Sequence, residues 1–394
     1  MALSFMETIA RSLFLKFYRQ CISTGCITVK EEDGTVVTFG GSKEKCPLEV
    51  VLKVHNSGQF YWKLITEYDL GFADAYINGD CSFEDKEDGI SNFIMLIIVN
   101  KESNTSISIA HESRGWWASG KFLLKHVLRQ NTVKQARRNI SHHYDVSNEF
   151  FQLFLDETMQ YSCALFKTED EDLKIAQQRK MSSLIEKARI RKGHEVLDIG
   201  CGWGSLAIET VKRTGCKYTG ITLSEEQLKY AQALVKKEGL QGFFRCCESL
   251  LAENGLFVLQ FISITEELFP TFLHTPEFFK EYIFRGGCLV SLTRMLAAMA
   301  AGSRLSVEHV ENLGPNSFAR TLKCWRNNLL ANKSKVLALG FDEKFIRTWE
   351  YYFCYGVGAF KSGMLKYYQV VFSRQGNVAA LGDPYQGFPS AFSF

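Results

Sequence analysis

Glu195-Val196-Leu197-Asp198-Ile199-Gly200-Cys201-Gly202-Trp203-Gly204 decides the fold. An apolar run, Glu195 to Ile199, reads as a strand, and glycine then recurs at every second position before a helix-forming segment, Ser205 to Arg213. Without a Cβ, glycine lets the backbone approach a ligand, and the helix start offers free N–H groups to an anion. Working outward, Lys217–Thr222 reads as a second strand and Gly255–Ser263 as a third, with Leu305–Val310 and Tyr367–Ser373 as further candidates. Helices are expected over Leu173–Ile190, Glu225–Glu238, Phe243–Ala252, Phe318–Leu339 and Asp342–Phe360. Strands alternating with helices call for an α/β fold, a mostly parallel sheet covered on both faces.

The chain has 394 residues, 46% hydrophobic and 23% charged, with a net charge of +3. Those values exclude a disordered or collagen-like chain, and no global field calls for nucleic acid as a partner. The longest apolar run, Phe93–Val99, is far short of the roughly 20 residues of a spanning helix. Twelve cysteines occur without a CxxC pair, which argues against a zinc site and for reduced thiols in a cytosol-like compartment.

Residues 1–20 form a basic amphipathic helix, expected to pack on the domain that follows; a targeting peptide is the other reading. From 21 to 112 the text reads as a small mixed α+β domain, with Leu48, Val50, Leu52 and Val54 alternating as in a half-buried strand. No acidic residue lies between Glu112 and Asp145, where Arg114, Lys121, Lys125, Arg129, Lys134, Arg137 and Arg138 accompany Trp116-Trp117. Residues 113–138 are a basic connector helix, and the stretch 113–144 suits either an anionic membrane surface or solvent. The α/β domain spans 139–382 and a tail 383–394.

The G-x-G-x-G spacing after a strand bearing Asp198 resembles the first motif of the S-adenosylmethionine-dependent methyltransferases, a Rossmann-like fold. Upstream stand His142-His143-Tyr144-Asp145-Val146-Ser147-Asn148-Glu149-Phe150-Phe151 and Met159-Gln160-Tyr161-Ser162-Cys163-Ala164. With them the chain resembles the cyclopropane fatty acid synthases, and GFADAYINGDCSF, RGWW and the tail from KYYQVVFSRQGNVAA resemble the plant members. That resemblance implies methylene transfer from S-adenosylmethionine to a cis double bond in a phospholipid acyl chain, by a protein cytoplasmic and peripheral at membranes. It implies cofactor contacts from Tyr161, Ser162, Asp198, Gly200, Gly202, Gly204, Thr222, Leu223 and Gln227. A bound bicarbonate would be the base, with Cys163 as the catalytic residue helping to hold it. No acid ends the second strand, so Thr222 and Gln227 are the nucleoside's candidate hydrogen-bond partners.

The pattern breaks after Gln241. Only 32 residues separate Thr222 from Gly255, and two helices consume nearly all of them. Two further strands and a crossover helix need roughly 40 residues there. The Rossmann-like sheet is therefore expected to lack two strands, one of them central, and to be compressed or frayed, with a poorly closed cofactor site. Phe318 stands where the family has a bicarbonate-binding tyrosine, Gly356 where it has a cysteine with Cys354 two residues early, and Gln260 where bacterial relatives have histidine. The expectation is an enzyme of weak or lost activity. Alternatives are a small-amine N-methyltransferase, a non-catalytic lipid-binding relic, or a mis-spliced product.

Overall fold

The structure, a computed structural model, describes residues 5–44, 46–103, 147–221, 240–275, 277–284, 287–378, 382, 385 and 387–390. Helix α1 (Phe5–Cys21) leads into a four-stranded sheet, β1 (Cys26–Glu31), β2 (Val36–Gly40), β3 (Glu49–Val54) and β4 (Cys81–Phe83), in the order β2-β1-β3-β4. The predicted alternation is realised in β3, which buries Val50, Leu52 and Val54. Helix α2 (Ser57–Asn78) starts where the Asn56 side chain accepts from the Gln59 N–H. It stops at Gly79, whose φ of +85° only glycine adopts without strain. Helix α3 (Gly89–Ser103) completes this part.

After α4 (Asn148–Gln152) come α5 (Leu173–Lys187), β5 (Glu195–Ile199), α6 (Ser205–Thr214) and β6 (Lys217–Ile221). Residues 240–250 are helical. Then follow β7 (Leu256–Ile264), α7 (Phe269–His274), a π-helical turn (Phe279–Ile283), α8 (Leu292–Gly302), β8 (Leu305–Asn312), α9 (Pro315–Ala331), α10 (Lys333–Ala338), α11 (Glu343–Lys361) and β9 (Leu365–Arg374). The single helix expected over Phe318–Leu339 is two, α9 and α10. It breaks at Asn332, whose side-chain amide donates to the Leu153 carbonyl at 2.9 Å and the Asn328 carbonyl at 3.1 Å.

The expected covered, mostly parallel sheet is corrected to two sheets. Strands β5 and β6 form a parallel pair, Val196 opposite Tyr218 and Asp198 opposite Gly220. Strands β7, β9 and β8 form an antiparallel triplet in that order, with a bulge between Val307 and His309. Among the described residues, no ladder joins β5 to β7. Of the short interval before Gly255, the described residues 240–254 supply no strand to sit between them. A parallel strand is ordinarily buried on both faces, yet Leu197 and Ile199 of β5 are 41% and 53% exposed. The sheet is frayed, as the length argument requires.

One core joins the N-terminal sheet to the helices of the C-terminal part. Helix α11 packs on α2 and α3, with Phe72 and Tyr351 rings 6.3 Å apart. The Tyr76 hydroxyl donates to Glu350 at 2.9 Å, and Arg347 Nε donates to the Tyr76 carbonyl at 2.8 Å. A Cβ on Gly358 would meet Ile94 and the Ser91 carbonyl at 2.9 Å, so glycine permits this close crossing. A second cluster, around Phe244, Met295, Met299, Val370 and Phe372, lies under the antiparallel sheet.

Candidate functional site

The glycine turn leaves β5 with positive φ at Gly200 (+100°), Gly202 (+53°) and Gly204 (+85°), and among the described residues nothing stands within 4 Å of a Cβ built on any of them. The turn is therefore open to a ligand while demanding glycine for its backbone. Gly204 caps α6 with no side-chain hydrogen bond, so the first N–H groups of α6 are available to an anion. Trp203 between the glycines donates from Nε1 to Asn148 at 3.0 Å, and its ring lies 5.2 Å from Phe151. The Ser205 hydroxyl donates to the Thr158 carbonyl. These contacts staple the turn to the segment carrying Tyr161, Ser162 and Cys163.

Tyr161 stands in an aromatic wall, its ring 5.4 Å from Phe151 and 5.0 Å from Trp325, its hydroxyl donating to that of Tyr352 at 3.2 Å. Cys163 is fully buried; its thiol donates to the Ala164 carbonyl at 3.2 Å, and burial pushes its pKa far up, keeping it protonated. Asp198 accepts from the Tyr218 hydroxyl at 2.6 Å. Burial raises its carboxyl pKa, against the pull of that hydrogen bond and of Lys180.

Lys180 of α5 was not singled out from the sequence, yet it joins these pieces. It is 1% exposed, and its ammonium donates to Ser162 Oγ at 2.8 Å and to the Gln160 side-chain carbonyl. Burial lowers its pKa to about 8, with Cys163, Asp156 and Asp198 pulling the other way. The available signal was a lysine inside the buried stripe Leu173, Ala176, Lys180, Met181 and Leu184. Tyr161, Ser162, Cys163, Asp198 and the three glycines are thus brought to one region. Thr222, Leu223 and Gln227, and the basic stretch 113–144, lie outside the described residues.

The sequence model described as mycolic acid cyclopropane synthetase matches residues 131–242 and 234–370, well over half of the chain. This protein belongs to that family. Its two matched pieces overlap over residues 234–242, the stretch that contains Gln241 and Gly242. Among curated relatives, the tuberculostearic acid methyltransferase of Mycobacterium tuberculosis is 32% identical over 284 residues, 61% of this chain and 66% of that protein. Cyclopropane mycolic acid synthase 1 of the same species is 31% identical over 263 residues, 56% of this chain and 91% of that protein. The cyclopropane-fatty-acyl-phospholipid synthase of Escherichia coli is 32% identical over 265 residues, 59% and 66% respectively. A solved mycolic acid cyclopropane synthase, CmaA1 complexed with SAH and CTAB, covers 60% of this chain and 97% of its own at a TM-score of 0.51 and 28% identity. The chain is accordingly an S-adenosylmethionine-dependent methyltransferase by family, with the α/β fold of that superfamily.

Two family groups fit this structure differently. The open glycine turn and the uncapped start of α6 fit the carboxylate end of S-adenosylmethionine. The residues expected around bicarbonate do not fit it. Phe318 offers no hydroxyl and is packed against Phe360 and Tyr367, ring centroids 4.4 and 5.3 Å away. Cys163 is sealed from the turn's open side, and a side chain at Gly356 would meet Leu322 at 2.6 Å. Cys354 is buried on α11, and burial pushes its thiol up to about 12.

Proposed function

We propose that this chain is a cyclopropane-synthase-type methyltransferase that retains part of the cofactor cradle and has lost efficient methylene transfer to the cis double bonds of phospholipid acyl chains. The carrying observation is the open flank of β5, where Leu197 and Ile199 face solvent beside the glycine turn. Bound S-adenosylmethionine would supply an electrophilic sulfonium methyl. Gly200, Gly202, Gly204 and the α6 start would hold its carboxylate, while Ser162, placed by Lys180, and Tyr161 would line the approach. The wall of Phe151, Tyr161 and Trp325 would face an acyl chain and stabilise developing positive charge. Among the described residues, no base for the proton that must leave the methylated carbon is assembled, and bicarbonate has no set of partners. Water exclusion fails as well, because an open sheet edge admits solvent to the site.

The test is incubation of the purified chain with S-adenosylmethionine and oleoyl phosphatidylglycerol vesicles, beside a variant carrying an intact relative's interval inserted between Gln241 and Gly242. The expected result is no cyclopropane product from the chain as it is and recovered product from the insertion variant. Turnover by the unmodified chain at the rate of an intact relative overturns the proposal.

A further inference from the structure

Helix α1 has two working faces. Its inner face buries Ala10, Phe14 and Cys21. Phe14 lies 5.1 Å from Tyr61 and 5.9 Å from Phe60 of α2, ring to ring. Arg11 pins the helix to β1 through a 2.7 Å ion pair with the buried Glu31. The amphipathic pattern of residues 1–20 has therefore already met its packing partner, and a helix so held does not need its other apolar residues for folding.

Those other residues form a second apolar stripe. Phe5 and Met6 are 79% and 54% exposed, and Ile9 and Leu13 are 39% exposed each. At about 100° per residue they fall within an arc of roughly 100° that borders the Ala10 and Phe14 face, with Phe5 opposite Phe14. Lys16 falls inside the same arc, and Arg19 just beyond it. Both are exposed, and among the described residues neither is in an ion pair. An open groove of about 530 Å³ runs along the neighbouring flank of α1, lined by Thr8, Arg11, Ser12, Leu15 and Arg19 and meeting the stripe at Lys16 and Gln20. Acidic residues are absent from the stripe, since Glu7, the one acid of α1, sits over Gly58 on the α2 side.

We propose that the outer face of α1 is a docking surface for an anionic phospholipid bilayer. The charge pattern selects the occupant: apolar side chains at one end of the stripe and unpaired cations at the other match acyl chains below and anionic headgroups beside them. At 17 residues α1 lies along the interface, and among the described residues no helix is long and apolar enough to cross a membrane. The surface is independent of the glycine turn, so a chain without methyl transfer binds equally well.

The experiment is co-sedimentation of the full chain with vesicles of equimolar phosphatidylglycerol and phosphatidylcholine, and with phosphatidylcholine alone. The unmodified chain is expected to bind the anionic vesicles more tightly, with binding that falls as salt rises. The double variant Ile9→Glu/Leu13→Glu is expected to weaken binding at least about tenfold, two exposed aliphatic side chains being removed from the contact. Lys16→Glu/Arg19→Glu is expected to abolish the preference for anionic vesicles. Phe5→Glu, at the most exposed position, provides the same test without touching the inner face. Undiminished binding by all three variants overturns the proposal and leaves the basic stretch 113–144 as the membrane contact. Absence of binding by the unmodified chain overturns it too. So does a concentration-dependent dimer that the Ile9→Glu/Leu13→Glu variant abolishes, which makes the face a contact between copies.

Discussion

Replacing Lys180 by methionine isolates the electrostatic cost at the centre of the site. The Lys180 ammonium is 1% exposed and donates to the uncharged oxygens of Gln160 and Ser162. Burial lowers its pKa to about 8 from the ordinary 10.5. At neutral pH the folded state therefore carries a charge it disfavours by about 3 kcal/mol. Between those two values the unfolded chain binds a proton that the folded chain has released, so stability rises with pH across that window. Integrated from pH 7 to pH 10, the gain is about 2–3 kcal/mol. Lys180→Met removes it. The variant also leaves Ser162 and Gln160 without a donor, at about 1 kcal/mol each, but that loss does not vary with pH. Urea unfolding of both proteins under reductant at several pH values gives the difference curve. Relative to the unmodified protein, the variant is expected to lose about 2–3 kcal/mol on going from pH 7 to pH 10. A difference that stays flat with pH refutes the lowering of the Lys180 pKa by burial.

Two further predictions concern the supports of the split sheet. Lys187 has a fully buried side chain and donates to Glu311 of β8 and Gln369 of β9, so Lys187→Met removes the cation from beside the Glu311 carboxylate, leaving it the Ser390 hydroxyl, and is expected to cost about 3 kcal/mol in urea unfolding. Gly200 holds φ +100°, so Gly200→Ala is expected to destabilise by about 1–3 kcal/mol and to lower the thermal midpoint, with the far-ultraviolet circular dichroism unchanged.

Local pattern made much of this architecture readable. Val50, Leu52 and Val54 alternate because β3 has one face on the core, and the run from Val196 to Gly204 announces strand, turn and helix because each residue's geometry is local. The break in the sheet was readable by length alone, since no packing can draw a strand and its crossover from residues that are absent. Lys180 and Lys187 were not readable. A lysine in an apolar stripe is normally a solvated edge, and only tertiary neighbours from loops and strands far along the chain supply the acceptors that keep these two inside. The kink at Asn332 escaped for the same reason, its amide being satisfied by Leu153 from a distant segment.

Helix α5 explains how the two half-sheets hold together without a shared ladder, and why the proposed loss falls on the site. Lys180 and Lys187 are two turns apart, about 10 Å along one face. The first reaches the loop at Ser162 beside the β5 turn, and the second reaches β8 and β9. The two half-sheets are thus held by the same helix and need no ladder between them. The antiparallel half rests on its own buried cluster around Phe244 and Phe372, but no residue of β5 or β6 belongs to the buried core. The parallel half is secured mainly from one side, by Trp203 against Asn148 and Phe151 and by Ser205 against Thr158. Units with little buried apolar surface open most readily. A cofactor binding there must order the turn as well as contact it, so the cradle can keep its glycines and still bind weakly.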